Sequence, residues 1–596
     1  MLHRGRDGFS VYPDRNVVLG HCLFDTGCNG MFVDEAGYVI SFDGRLDNRS
    51  DLAGILRDQD VDLPDFERMS DRSLLLLAYR SFGQALPQFL RGDFAIAIWD
   101  PVREELFLCR DHLGVRPLFY SRIDGEVHFA SEIKVLRAMR GVRHFVVREE
   151  AIEGFVDGLL DTRAPARTFF REVFRILPGH CALISAEGMK IRQYWMLDPG
   201  HPIRRNNGPA MLRAALTKAI DRRLRTTLPV GALLSGGLDS SAIVSLIGAR
   251  ETSAIPASVK AYSMTFPDNS EDETAYIDAV VDAYGLDGEK IAASQATAFE
   301  AIDDVIGEQD HPPPAPNTCI FRHFLNAISA RGDARVVLHG HGGDEVISRG
   351  TGLFAEMAES GRWVRLWQEL GESTEVLGPR RNHFAGLVLR KGLRGWRGKV
   401  SSWVKPKRLL GRDVKRFAPD GRRRQSEQLL HLRDLTAPLF GHALEVIDHE
   451  AAAAGIEVRM PFLDVDLIAL CVTIPAQDKW IAGYPRAALR RALSGILPAA
   501  VANRRNKFNF ADHLRRSILR DHGELVDDSL NTKGGWIAPY ANLTDLRAKW
   551  QSLIDDGTVD GRSLLQIWRA VALSRWLQLE STRRATAPIT NLQAAE

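Results

Sequence analysis

The sequence predicts two domains in series: an α+β sandwich of antiparallel sheets, then an α/β domain with a doubly wound parallel sheet and a helical C-terminal part. Three observations carry this expectation. Short β-type segments crowd the first 130 residues. The stretch Leu233–Val244, LLSGGLDSSAIV, joins an apolar strand to a helix through a loop without bulky side chains. A second glycine-rich loop, Val336–Glu345 (VVLHGHGGDE), again follows an apolar strand. At 596 residues the chain is too long for one core,. Its 45% hydrophobic and 26% charged residues are ordinary for a soluble protein, and a net charge of +1 gives no reason to expect nucleic acid or a membrane as partner,. The cysteines Cys22, Cys28, Cys109, Cys181, Cys319 and Cys471 show no CxxC spacing, and no stretch approaches eighteen apolar residues. A cytoplasmic protein with free thiols is therefore expected.

In residues 1–200, strands are expected at Asn16–Leu19, Tyr38–Phe42, Phe94–Trp99, Leu106–Cys109, Pro117–Tyr120 and Glu126–Phe129, with a helix at Ser73–Phe82,. The strings HRGRDG from His3, FDGR from Phe42, RGDFA from Arg91, CRDHLGVRPL from Cys109, ASEIK from Ala130 and LPGH from Leu177 follow in order. Together they resemble the glutamine amidotransferase domain of the asparagine synthetase family, which implies an N-terminal-nucleophile-type fold. That family hydrolyses glutamine with a cysteine at the first residue of the mature chain. Here residue 2 is Leu2, and Cys22 and Cys28 are internal, without an α-amine to act as base,. Asp43 stands where the glutaminases place an asparagine donor, and a carboxylate there repels an oxyanion. Two readings follow: a retained structural shell, or a start codon set too far downstream. Arg45 and Asp71 read as remnants of the old pocket, with Arg45 paired to a neighbouring acid as the plainer alternative. A boundary is expected at Asp198–Gly208, where Pro, Gly and Asn cluster,.

Residues 208–596 carry the chemistry. Between a strand at Val230–Leu234 and a helix at Ser241–Ala249, the small residues Ser235, Gly236, Gly237 and Ser240 let backbone amides turn toward an anion. The helix start adds about half a positive charge. Asp239 offers a hard oxygen for Mg²⁺. No GxxxxGKS or GxxxxGKT occurs,. SGGLDSS instead resembles the loop of the ATP pyrophosphatases (an adenine-nucleotide α-hydrolase-like fold), which implies ATP and Mg²⁺ as cofactors and adenylation of a carboxylate. By that resemblance Leu233, Leu234 and the backbone near Met264, in an expected strand at Val259–Phe266, contact adenine. In the second loop His339 and Gly340 touch ATP and Asp344 is the second Mg²⁺ ligand.

His341 departs from the family, which has glutamate there, or tyrosine paired with a glutamate in a β-lactam-forming relative. Histidine can take a proton from an attacking amine, or merely line the pocket. Glu445 is its expected partner. IEVRMPFLD from Ile456 matches the family's pocket wall, and NRRNKF from Asn503 matches its RxK motif, making Lys507 the cation that follows charge onto pyrophosphate. Arg380–Arg424 carries sixteen Lys and Arg against two Asp, either a solvated face or a dock for an acidic peptide or partner,. An intact adenylating half beside a disabled glutaminase half resembles the lasso-peptide macrolactam synthetases. This implies a precursor (core) peptide as substrate and a leader-binding or protease partner, with no nucleic acid and no membrane. Asparagine synthetase, ammonia- or glutamine-dependent, and a β-lactam-type cyclase are the alternatives.

Overall fold

The computed structural model describes residues 2–586 apart from 28, 64, 140–144, 160–163, 199, 201–207, 252–258, 267–271, 294–296, 373–426, 506–510, 532–534 and 557–558. In the N-terminal half, β3 (Gly30–Val33), β4 (Val39–Leu46), β5 (Gly92–Asp100), β6 (Glu105–Arg110), β10 (His180–Ser185) and β11 (Gly188–Gln193) form one antiparallel sheet, ordered β11-β10-β6-β5-β4-β3. Alternate residues of each strand point to opposite faces. Ile40, Phe42, Phe94, Ile96 and Phe107 meet the helices Arg49–Arg57 and Asp71–Phe82. Val39, Ala97, Trp99 and Leu108 meet Leu19, Tyr120 and Ile176 beneath two smaller sheets. These are β1 (Gly8–Pro13) with β2 (Val18–Leu23), and β8 (Glu126–Ala130), β7 (Phe119–Ile123) and β9 (Val173–Arg175).

The helix expected at Ser73 starts two residues earlier, because the Ser70 hydroxyl accepts the Ser73 amide at 3.2 Å and caps it,. The strand expected at Asn16 starts at Val18, because the Asp14 amide donates to Val17 O and closes a turn. CRDHLGVRPL is a folded loop. Asp111 accepts the amides of Leu113, Gly114, Val115 and Arg116, and Arg110 donates to the carbonyls of Gly114, Arg116 and Ile176. The motif thus has a structural reason to persist whether or not glutamine is hydrolysed.

In the C-terminal half, β12 (Val230–Leu233), β13 (Val259–Thr265), β14 (Gly288–Ala292), β15 (Val336–Leu338) and β16 (Glu457–Arg459) form a wholly parallel sheet, ordered β14-β13-β12-β15-β16. The order runs away from β12 on both sides, so a switch point, and with it a crevice, falls at the carboxyl edge between β12 and β15,. The helix Thr274–Tyr284 ends at Gly285 in a left-handed cap (φ 58°),. The C-terminal helices share a core with the N-terminal half: Phe155, Phe169 and Phe170 pack with Ile518, Trp568 and Trp576. No described helix is long and apolar enough to cross a membrane.

The halves also exchange buried charge. Arg4 pairs with Asp448 at 2.7 Å and with Glu132. Arg116 reaches Asp448 at 2.9 Å, Glu457 at 3.2 Å and Asp43 at 3.8 Å. In return, Arg223 reaches Asp47 at 3.5 Å and Arg225 reaches Asp71 at 2.7 Å. Arg45 holds Asp47 at 2.6 Å and Asp93 at 2.8 Å, which is the plainer of its two readings. Burial alone would raise the Glu457 carboxyl, but Arg459 and Arg116 outweigh it and hold the group at about 2,. His3, Glu132 and Glu308 also converge, yet Lys134, 2.9 Å from Glu132 and 2.8 Å from Glu308, already neutralises these acids.

Candidate active site at the sheet switch point

Both glycine-rich loops emerge into the crevice beside β12. Leu233 and Leu234 are buried, and the Leu234 amide extends the ladder by donating to Tyr262 O at 2.8 Å. Met264, half-buried, lies one residue from the end of β13. Gly236 is left-handed (φ 68°), and a Cβ there would stand 2.8 Å from Tyr276 Cβ, so only glycine fits,. The helix expected from Ser241 begins at Leu238, with Gly237 at its N-cap and no side chain capping it. Its first amides are therefore directed at the crevice, available to a phosphate. Ser235 Oγ and Ser240 Oγ lie 3.0 Å apart, and the Ser235 amide donates to Ser240 Oγ at 3.1 Å.

The second loop presses on the first. A Cβ on Gly340 would stand 2.9 Å from Ser240 N, and one on Gly343 would collide with the Asp239 carboxylate. Gly340→Ala is expected to force the loops apart and weaken binding of Mg²⁺·ATP roughly tenfold, the equivalent of about 1.4 kcal/mol of overpacking. Isothermal titration calorimetry checks this. The same packing brings together the carboxylates expected to share a cation. Arg486 Nη1 lies 2.6 Å from each Asp239 oxygen and 3.0 Å from Asp344 Oδ1. Two hard oxygen donors converging on one cationic atom, beside an uncapped helix N-terminus, suit Mg²⁺ on a nucleotide triphosphate. When bound, that ion would neutralise phosphate charge between Asp239 and Asp344.

His339 follows β15, its amide donating to Arg459 O at 2.9 Å. Four rings then stack in series: Phe321 on His339 at 5.4 Å, His339 on His341 at 5.9 Å and His341 on Phe440 at 6.1 Å. Desolvation lowers His341 to about 4 despite nearby Asp344, and lowers His339 to about 3, so both rings are neutral at pH 7,. His341 Nε2 and His339 Nδ1 find no partner among the described residues.

The expected His341–Glu445 pair is not what the structure forms. Glu445, on the helix Pro438–Ala454, gives its oxygens to Arg110 at 3.1 Å and to Arg175 at 3.2 Å. Burial would raise its carboxyl, but these arginines win and hold it at about 2. Glu445 therefore serves the junction between the halves, and Phe440 is the neighbour that helix gives to His341. Lys507 and the basic stretch 380–424 lie outside the described residues.

Three residues escaped the sequence reading. Besides Arg486, Arg504 donates to Gly236 O at 3.1 Å, pairs with Glu273 at 2.6 Å and lies 4.2 Å over the Tyr276 ring. It pins the phosphate loop to the helix Thr274–Tyr284. Glu273 belongs to a visible acidic run, but no local pattern distinguishes either arginine from its basic neighbours.

Comparison with known proteins agrees with this geometry. A family model described as asparagine synthase matches residues 211–578, and one described as a glutamine amidotransferase domain matches residues 1–195. Glutamine-hydrolysing asparagine synthetase 3 of Bacillus subtilis is 28% identical over 521 residues, covering 84% of this chain and 81% of the relative. Glutamine-hydrolysing asparagine synthetase 1 of the same organism is 25% identical over 558 residues, 88% of this chain and 84% of that one. Amidase chyE of Penicillium rubens is 28% identical over 366 residues, 58% of this chain and 52% of that protein. With the first model spanning more than half its length and its motifs gathered at one crevice, the chain belongs to the asparagine synthase family.

Proposed function

We propose that the protein is an ATP-dependent amide ligase of the AMP-forming kind that closes a macrolactam in a ribosomal precursor peptide. An Asp or Glu side chain of the peptide is adenylated by ATP with release of pyrophosphate, and the peptide's own α-amine then attacks, forming the isopeptide bond and releasing AMP. The observation that carries this reading is Asp43. By the sequence resemblance its carboxylate replaces the neutral donor of the glutaminases, and it lies 3.8 Å from Arg116, which also pairs with Asp448 and Glu457. A carboxylate in that place repels an oxyanion, which supports an amine that arrives on the substrate itself.

The energetics agree. Closing a ring of about eight residues costs roughly 2 kcal/mol plus a constant. Holding amine and acyl group in attack geometry can contribute about 7–11 kcal/mol. Lys507, by the family's motif, follows charge onto pyrophosphate. The neutral His341 ring accepts the proton that the amine loses as it adds to the carbonyl.

His341→Ala is expected to lower ring closure roughly 10²–10⁴-fold while ATP–pyrophosphate exchange survives. Closure should fall as pH drops from 7 to 5, because the attacking α-amine, ordinarily at about 8, gains a proton, while His341, at about 4, stays neutral through that window and protonates only below it. Unchanged closure in the variant would leave the histidine only a lining role. The relatives named as asparagine synthetases favour a second reading, in which free aspartate is the acceptor. Incubation with ATP, Mg²⁺ and either aspartate plus ammonia or a leader-cleaved peptide separates them. Asparagine formed without any peptide would defeat the macrolactam reading.

A further inference from the structure

Arg486 is held in an unusual way. It is a non-glycine residue with left-handed backbone (φ 56°, ψ 35°), set between the short hairpin Trp480–Pro485 and the helix Ala487–Ala492. Such a conformation persists only where its surroundings over-determine it, and it clusters at functional sites. Its guanidinium is mostly buried, with one nitrogen against both oxygens of Asp239 and one of Asp344. Arg349 also reaches Asp344 at 3.3 Å, but from the exposed side. Arg486 therefore already offsets one of the pair's two negative charges, from within, at the place closest to where a metal ion would lie, and Arg349 offsets the other from outside.

We propose that Arg486 is a resident counter-cation: it holds Asp239 and Asp344 together in the empty enzyme and moves to the phosphate oxygens when Mg²⁺ arrives on ATP. The free ion alone must displace a guanidinium from two half-buried carboxylates and leave it without them. Mg²⁺·ATP brings the replacement cation and the new anionic partner at once. Arginine suits the transfer, because its planar fork binds carboxylate and phosphate with equal ease and never loses its charge. The site then refuses bare Mg²⁺ and accepts it only with a polyphosphate. This rests on reading the crevice as a Mg²⁺·ATP site, but on no assumption about the acceptor.

The test is calorimetry and thermal melting of the full chain with MgCl₂ alone and with Mg²⁺–pyrophosphate. Wild type should show no saturable binding of MgCl₂ at millimolar concentration and no change in Tm with it. Arg486→Met should bind MgCl₂ at least tenfold more tightly, melt lower without the ion and regain Tm with it, and bind Mg²⁺–pyrophosphate at least tenfold more weakly. Arg486→Lys should stay near wild type with MgCl₂ alone. If Arg486→Met folds poorly, Mg²⁺ should restore it, and failure to do so counts against the proposal. A methionine variant that binds MgCl₂ no better than wild type, or keeps its pyrophosphate affinity, overturns it. Wild type that ignores Mg²⁺·ATP would instead overturn the underlying site reading.

Discussion

Asp239→Asn is expected to abolish pyrophosphate release, lowering ATP–pyrophosphate exchange by about 10³-fold or more. Asparagine keeps the size of the side chain but removes the charge that a divalent ion on the phosphates requires, and such an ion is worth several kcal/mol of transition-state stabilisation. The fold should survive. Asp239 lies in the first turn of its helix, in partial contact with solvent, and Arg486 retains Asp344 at 3.0 Å. The exchange assay should therefore collapse while the melting temperature moves little. A variant that exchanges at the wild-type rate would remove Asp239 from the chemistry. One that melts far below wild type would make it a structural residue.

Arg116→Met is expected to have the largest effect on stability. It strips one cation from Asp448 and Glu457 together, both nearly inaccessible to water. Removing one partner of a buried ion pair typically costs about 3–5 kcal/mol, because the surviving charge is left uncompensated. Arg4 still covers Asp448, and Arg459 still covers Glu457 at 3.0 Å, so the lower end of that range applies. Urea unfolding measures it. The double variant Arg116→Met/Glu457→Gln should recover part of the loss, because the stranded charge goes with the partner. Simple additivity of the two single losses would mean that they do not interact.

Much of the fold was legible because its signals are local. Short continuous apolar runs at Phe94–Trp99 and Leu106–Cys109 marked β5 and β6, and a strand followed by small residues marked both loops of the crevice. The edge strand Gly188–Gln193 was missed, because it lies largely in solvent on both faces and its alternation amounts to only two apolar residues, Met189 and Ile191. The site divides in the same way. Asp239 and Asp344 each follow a strand and a glycine, and the parallel sheet brings them together. Glu445 was assigned by spacing along the chain, which says nothing about the direction of a side chain on a long helix. Helix packing turned it to Arg110 and Arg175 instead. Arg486 was illegible for the converse reason: its importance comes from a turn that delivers it 247 residues from Asp239.

The reciprocal pairing between the halves has a consequence for biosynthesis. Arg116 meets Asp448 across 332 residues of sequence. At a synthesis rate of 5–20 residues per second, the arginine emerges roughly 20–60 s before its acid. During that interval Arg4 and Arg116 have only their partners within the leading half, Glu132 and Asp43, and lack the buried acids of the trailing half, so final docking must await the ribosome's completion of that half. Any stalling downstream of Arg116 prolongs that vulnerable state, when proteases and holdase chaperones compete for the nascent polypeptide.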